Sequence, residues 1–173
     1  MIKFSASPVR VMHHGRRIEM KITDYIGPEH IKLDLEGTSK SEVIEELVEH
    51  MAEVCSNCDA DTILEAVESR ERDGSTGLEK GVAIPHAKCD AVDKLRIVVG
   101  ISKEGVDFEA QDGKPSHLFF MMIAPTTESG PHVQAIAKIV KMIKVPGFRE
   151  KLLKADRPEK IIEAMERVEN GEE

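Results

Sequence analysis

Tryptophan is absent from the 173 residues, tyrosine occurs once and phenylalanine five times. A chain so poor in rings has few platforms on which unpaired bases can stack, which argues against single-stranded nucleic acid as a ligand. The core has to be made of Val, Ile, Leu, Met and Ala. No apolar run approaches the roughly 20 residues that a bilayer crossing needs, so no membrane insertion is expected. The N-terminus lacks the apolar segment of a secretory leader, and a cytoplasmic location is expected. Cysteine is scarce too, with three residues. A domain of this length buries roughly 70% of its unfolded surface, so it needs no disulfide or metal staple. Cys55 and Cys58 form C-S-N-C. A zinc site would require two more ligands, and no second C-x-x-C or H-x-x-x-H is present. A redox pair would open a helix after a strand, whereas this pair separates two helical patterns. The reading is two ordinary thiols, with no metal and no cofactor.

Charge is present but uneven. The formal net charge is −8. Residues 1–21 hold Lys3, Arg10, Arg16, Arg17 and Lys21 against Glu19, a net of +4, which leaves −12 for the remainder. A body that acidic repels phosphate backbones, so nucleic acid is not expected as a partner, and partners should present basic faces.

Along the chain, residues 1–21 show no clear period and are read as a basic, mobile arm, with an extra edge strand as the alternative. Ile22–Ile26 has the look of one helical turn. Ile31, Leu33 and Leu35 alternate with polar residues, the pattern of a half-buried strand. Ser39 followed by Glu42 is a capping box that opens a helix with Val43, Ile44, Leu47, Val48, Met51 and Val54 on one face. Asp59 or Asp61 caps the next helix, which ends near Arg70. Leu95–Ile101 is an apolar run suited to a central strand. Val106–Phe108 and the following Q-D-G-K look like a short hairpin, and Leu118–Ala124 is a second buried run. Pro131 sits where the first position of a helix tolerates proline. Further helices are expected over Phe148–Leu153 and Pro158–Val168, the latter capped by Asp156, with a frayed tail over 169–173. There are no repeats. Strands alternate with helices over residues 22–168, which predicts one α/β domain with a mixed β-sheet sandwiched between helices.

The stretch Arg70–Lys88 organises the rest: R-E-R-D-G-S-T-G-L-E-K-G-V-A-I-P-H-A-K. A turn-prone run leads into Val82-Ala83-Ile84, and Pro85 stops it, because proline has no N–H for a ladder. His86 then stands where the chain leaves the sheet, a common place for functional groups in α/β folds. G-V-A-I-P-H-A resembles the phosphorylation-site signature of the enzyme IIA domains of the bacterial phosphotransferase system, fructose/mannitol class. Arg70, G-S-T-G, the L-F-F-M-M-I-A-P run and S-G-P-H-V before a long helix are similar to that family as well, in the same order. Within it the chain is most like the nitrogen-regulatory enzyme IIA. The resemblance covers roughly Ile22–Val168 and implies the enzyme IIA type-2 fold.

The chemistry of the residues agrees. A neutral imidazole offers a lone pair near neutral pH and can carry a phosphoryl group, because it is also a good leaving group. Such a carrier needs positioning and charge stabilisation for a loose transition state. His132, at the start of a helix, lies near N–H groups that favour anions. Arg70 can fork onto phosphate oxygens, and Ser75 and Thr76 carry hydroxyls. The resemblance implies His86 as the phosphorylated residue, with His132 and Arg70 as its active-site partners. Ser75 and Thr76 are weaker candidates, since polar turn residues commonly serve only the turn. The pattern of a phosphate-binding P-loop is not met, which argues against a nucleotide site: Lys80 is followed by Gly81, and the loop leads into a strand. A metal centre on His86, His132 and Cys89 lacks ligand spacing. The resemblance further implies a phosphohistidine carrier protein of the HPr type as donor. The acceptor would be the cysteine of an enzyme IIB domain in sugar transport, or the phosphorylation state would be read by regulatory target proteins. With no IIB or membrane domain in the sequence, the regulatory switch is the expected role.

Overall fold

The computed structural model of the protein describes residues 20–128 and 130–172. The arm expected over residues 1–21 lies, up to residue 19, outside the described residues.

Two long strands form the centre. β4 (Arg96–Val106) and β5 (Ser116–Ala124) pair antiparallel, from Arg96 opposite Ile123 to Ile101 opposite Leu118. The register shifts between Ile101 and Val106, which pairs with Ser116. β4 ends at Val106, the first residue of the segment expected to form a separate short hairpin, and residues 107–115, which hold the rest of that segment, are its connection to β5. On the far side of β4 lies β1 (Ile31–Lys32), parallel; the predicted strand is cut to two ladder residues, although the Leu35 N–H still reaches the Ile101 carbonyl at 2.9 Å. On the far side of β5 lie β2 (Val82–Ala83) and β3 (His86–Lys88), both parallel to it. The sheet is mixed, as expected.

Side chains of β5 alternate strictly between two cores, as the period of a strand requires. Leu118, Phe120 and Met122 face one cluster with Ile97, Val99, Ala135, Ile139, Leu152, Ile161 and Met165. Phe119, Met121 and Ile123 face the other with Val98, Val43, Leu47, Met51, Ile63 and Val67. Helices thus cover both faces. α1 (Lys40–Val54) and α2 (Ala60–Arg72) lie on one, and α3 (Gly130–Ile143), α4 (Phe148–Lys154) and α5 (Pro158–Glu169) on the other. α1 can lie close on β4 because position 100 is glycine: a Cβ there would stand 2.7 Å from Leu35 and 2.8 Å from Leu47.

The caps follow the sequence in part. Ser39 Oγ accepts the Glu42 N–H, and Asp59 caps α2 by accepting from Thr62. Glu42, however, reaches back to the Thr38 N–H at 2.7 Å. Asp156 does not cap α5; it pairs with Lys160 at 2.8 Å, and Arg157 holds the cap position. The C-x-x-C reading also changes. Cys55 and Cys58 are joined as a disulfide, because Cys55 caps α1 and the left-handed turn at Asn57 brings the two Cα atoms to 5.7 Å. Glu169, placed by sequence in a fraying tail, is the last residue of α5, and its carboxylate accepts the Ile22 and Thr23 N–H groups at 2.7 and 3.0 Å.

Candidate functional site

Pro85 interrupts its strand without ending it, contrary to the sequence reading. Val82 lies opposite Leu118 and His86 opposite Met122, so both short strands keep one offset against β5. The ladder fails only around Ile84 and Pro85, where the proline has no N–H to give. Its carbonyl still accepts the Met122 N–H at 3.0 Å. His86 therefore opens β3 instead of leaving the sheet, with its backbone fixed by β5.

The ring is fixed too. His86 Nδ1 lies 2.8 Å from the Ile84 carbonyl oxygen. A carbonyl can only accept, so Nδ1 carries the proton and Nε2 keeps the lone pair. The ring is half-buried, and desolvation, the largest influence, pushes its pKa below 6.5. The Ile84 carbonyl and the Glu71 carboxylate favour the imidazolium, while the Arg70 guanidinium disfavours it. Burial prevails, and the ring is neutral at pH 7.

Arg70 comes from the last turn of α2 and its charge reaches His86. Its Nη1 donates to the Gly74 carbonyl at 2.8 Å, which steadies a side chain otherwise free to swing. His132 stands in the first turn of α3, half-buried. β3 runs parallel to β5, and α3 starts after the loop that leaves β5, so the first turn of α3 lies beyond the sheet end to which β3 leads. Asp90 ties the loops after these two strands together, accepting the Thr126 hydroxyl at 2.5 Å and its N–H at 3.3 Å.

The hydroxyls of the G-S-T-G loop are engaged within the protein. Ser75 Oγ donates to the Phe108 carbonyl at 2.7 Å and accepts the Gly77 N–H at 3.0 Å. Thr76 is buried, and its hydroxyl donates to Glu71, which also accepts the Thr76 N–H at 3.2 Å. Gly77 packs so closely on the next loop that a Cβ would sit 2.9 Å from the Ala110 Cα. Sequence reasoning did not single out Glu71 or Asp90, the two carboxylates that hold these loops. For Asp90 no signal distinguishes it from an ordinary loop carboxylate.

The family model for the phosphoenolpyruvate-dependent sugar phosphotransferase system, EIIA 2, matches residues 24–168. The chain belongs to this family. Relatives divide between two roles. The fructose-specific EIIA component of Haloferax volcanii is 34% identical, with 86% of this chain and 99% of that protein covered. The nitrogen regulatory protein of Bradyrhizobium diazoefficiens is 32% identical, covering 77% and 86%. The fructose-specific EIIABC component of Bacillus subtilis is 37% identical over 83% of this chain, which spans only 23% of that longer protein. Among solved structures, the nitrogen regulatory protein IIA-Ntr of Neisseria meningitidis superposes with a TM-score of 0.78 at 30% identity, covering 83% and 98%. Enzyme IIA mannitol of Escherichia coli, solved in complex with phosphorylated enzyme IIB mannitol, shares the fold, with a TM-score of 0.71 at 22% identity over 82% and 96%. Among the described residues, no helix is long and apolar enough to cross a membrane.

Proposed function

We propose that the protein is a phosphoryl carrier in which His86 Nε2 accepts the phosphoryl group. The observation that carries this reading is the Nδ1 contact to the Ile84 carbonyl, which leaves a bare nitrogen on a neutral ring of fixed orientation. In the transfer, the Nε2 lone pair forms a bond to phosphorus as the donor's N–P bond breaks. The electron pair of that bond leaves with the donor imidazole, which departs neutral because its other nitrogen already carries a proton, while the His86 ring takes on the positive charge with Nδ1–H still on the Ile84 carbonyl. Arg70 offsets the charge on the phosphoryl oxygens, and His132 supplies a second polar group from the start of α3. The engaged hydroxyls of Ser75 and Thr76 hold the loop in shape, and direct donation to phosphate is the lesser part of their role.

The donor is a phosphohistidine carrier of the HPr type, in the cytoplasm, and the phosphorylated state of the protein is itself the output, read by regulatory target proteins. The relatives named as nitrogen regulatory proteins support this role. The fructose-specific relatives support a second reading, transfer onward to the cysteine of an enzyme IIB domain.

The test is incubation with a phosphorylated HPr-like carrier, followed by peptide mapping. Acid-labile label is expected on His86 and none on His86→Ala. His132→Ala should still take label, slower by roughly a hundredfold to a thousandfold, the scale for losing one ordered donor. Label on His132 in the wild type, with His86→Ala still accepting, overturns the assignment. Onward transfer to a IIB cysteine with no phosphorylation-dependent partner in pull-downs would select the second reading.

A further inference from the structure

Two charges stand at the wrong ends of their helices. Lys40 is the first residue of α1, where the helix dipole disfavours a cation, and Glu71 lies in the last turn of α2, where it disfavours an anion. Both are largely withdrawn from water, with side-chain exposures of 19% and 5%, and they meet at 2.8 Å. Charges placed against their dipoles and buried need another reason to be there.

The hydrogen bonds beyond the pair supply it. The Glu71 carboxylate accepts both the N–H and the hydroxyl of Thr76. The Thr76 carbonyl accepts the Ile84 N–H at 3.1 Å, and the Ile84 carbonyl accepts from His86 Nδ1 at 2.8 Å. The contacts run from Lys40 through Glu71, Thr76 and Ile84 to the imidazole, passing through the backbone at the Cα of Thr76 and again at that of Ile84. A second branch leaves the same lysine: its ammonium sits 4.9 Å from the Phe108 ring centroid, and the Phe108 carbonyl accepts the Ser75 hydroxyl. Lys40 also reaches Glu109 at 3.3 Å.

We propose that Lys40 and Glu71 are positioning residues for His86: through Thr76 and Ile84 they hold its ring in the Nδ1–H tautomer, with Nε2 bare. The inference rests on the reading that His86 is the nucleophile. Its physical basis is that Ile84 can receive the imidazole proton only while its own peptide is held. That peptide lies where Pro85 breaks the ladder to β5, so the sheet does not hold it on that side. The Thr76 carbonyl holds the preceding Ala83–Ile84 peptide through the Ile84 N–H, one Cα before the carbonyl that receives the proton, and Glu71 fixes Thr76. Without that hold the ring can turn or shift its proton to Nε2, and a protonated Nε2 has no lone pair to attack with.

The test needs no protein donor. Nitrogen NMR of the imidazole rings reads the tautomer of His86 directly, and phosphoramidate, a small phosphoryl donor, reads its reactivity. The variants are Glu71→Gln, Lys40→Met and Thr76→Val, with Lys40→Arg as the conservative control. The first three are expected to show a mixture of tautomers at His86 and labelling slowed by up to about a hundredfold, the scale of a misplaced reacting group. Lys40→Arg should stay near wild type. Variants that fold but keep the wild-type tautomer and rate overturn the proposal. So does failure of all three to fold, which would make the network a stability element only. If the wild type itself takes no label, the functional reading falls, while the tautomer comparison still decides whether the relay exists.

Discussion

The two faces of the sheet each bury a glutamate, and the pair of them separates holding a fold from shaping a site. Glu169, at the end of α5, accepts the N–H groups of Ile22 and Thr23 and the Thr23 hydroxyl, and Lys138 approaches it at 3.8 Å. Glu71, at the end of α2, accepts the N–H and hydroxyl of Thr76 and pairs with Lys40 at 2.8 Å. The chemistry is the same in both: a carboxylate collects backbone N–H groups, a threonine hydroxyl and a lysine. What lies one link further differs. Beyond Glu169 is the entry of the chain into its first helical turn, with Lys138 also bonded to the Met20 carbonyl. Beyond Glu71 is a histidine. On the proposed role of His86, the two clusters differ in the group they end on and not in their own chemistry.

The comparison can be broken most sharply by truncating each glutamate. Glu71→Ala removes one partner of a buried ion pair and should cost about 3 kcal/mol, the low end for such a change because Lys40 keeps Glu109. Glu169→Ala leaves two backbone N–H groups without their acceptor and should cost about 2 kcal/mol. Urea unfolding measures both. Only the Glu71 variant should also slow the labelling of His86 by phosphoramidate. Equal slowing in the Glu169 variant would mean that the loss tracks stability alone, and the distinction between the two clusters would disappear.

A subtler difference lies in pH. Burial holds His86 below its usual value of 6.5, with Arg70 lowering it further and Glu71 raising it. Removing the Arg70 charge as Arg70→Met should therefore raise the His86 midpoint, Glu71→Gln should lower it, and Glu169→Gln should leave it in place. NMR titration reads all three, and a midpoint indifferent to Arg70 would separate that residue from the site. The stability consequence has a definite sign. The unfolded chain takes up the proton first, so stability is complete above pH 6.5 and falls as pH drops from there towards the folded-state value. His50, also lowered chiefly by burial, adds to the same loss. A melting curve alone therefore cannot isolate His86, and the titration of its own resonances is the measurement to use.

How much of this was legible in the sequence follows from what each feature depends on. The two apolar runs of β4 and β5 and the helix faces declare themselves through periodicity, and the alternation of Leu118, Phe119, Phe120, Met121 and Met122 between two cores follows once helices flank the sheet. The stretch around His86 was legible because its glycines, proline and histidine stand in a recognisable order. The continuation of the strand through Pro85 was not, since it depends on β5 supplying one ladder to both halves. Nor was the relay, in which Lys40 and Glu71 lie far apart in the chain and meet only where α1 and α2 pack. One trace of it was visible: a cation opening a helix and an anion closing one, each against the dipole. The Asp156 cap failed for an ordinary reason, that a carboxylate beside a helix start has a lysine one turn on as a competing partner.

The smallest effect is expected at the disulfide, and it bounds how far the site's network extends. Cys55 and Cys58 close α1 at the end opposite Lys40. With 15 residues in that helix and about 1.5 Å of rise per residue, the two lie roughly 20 Å apart. The loop that the bond closes is very short, so the loop-closure argument limits its stabilisation to about 2 kcal/mol. No hydrogen bond of the relay passes through the cysteines: the Cys58 N–H goes back to the Cys55 carbonyl at 3.4 Å, and Cys55 Sγ faces the Ser56 carbonyl. Reduction, or the double substitution Cys55→Ser with Cys58→Ser, should therefore lower the melting temperature slightly and leave both the His86 tautomer and its labelling rate at wild-type values. The measurement is the same pair of readings, tautomer and rate, taken before and after reduction. A change in either would mean that α1 transmits strain along its length to Lys40, and that the histidine senses the redox state of a bond at the far end of the helix.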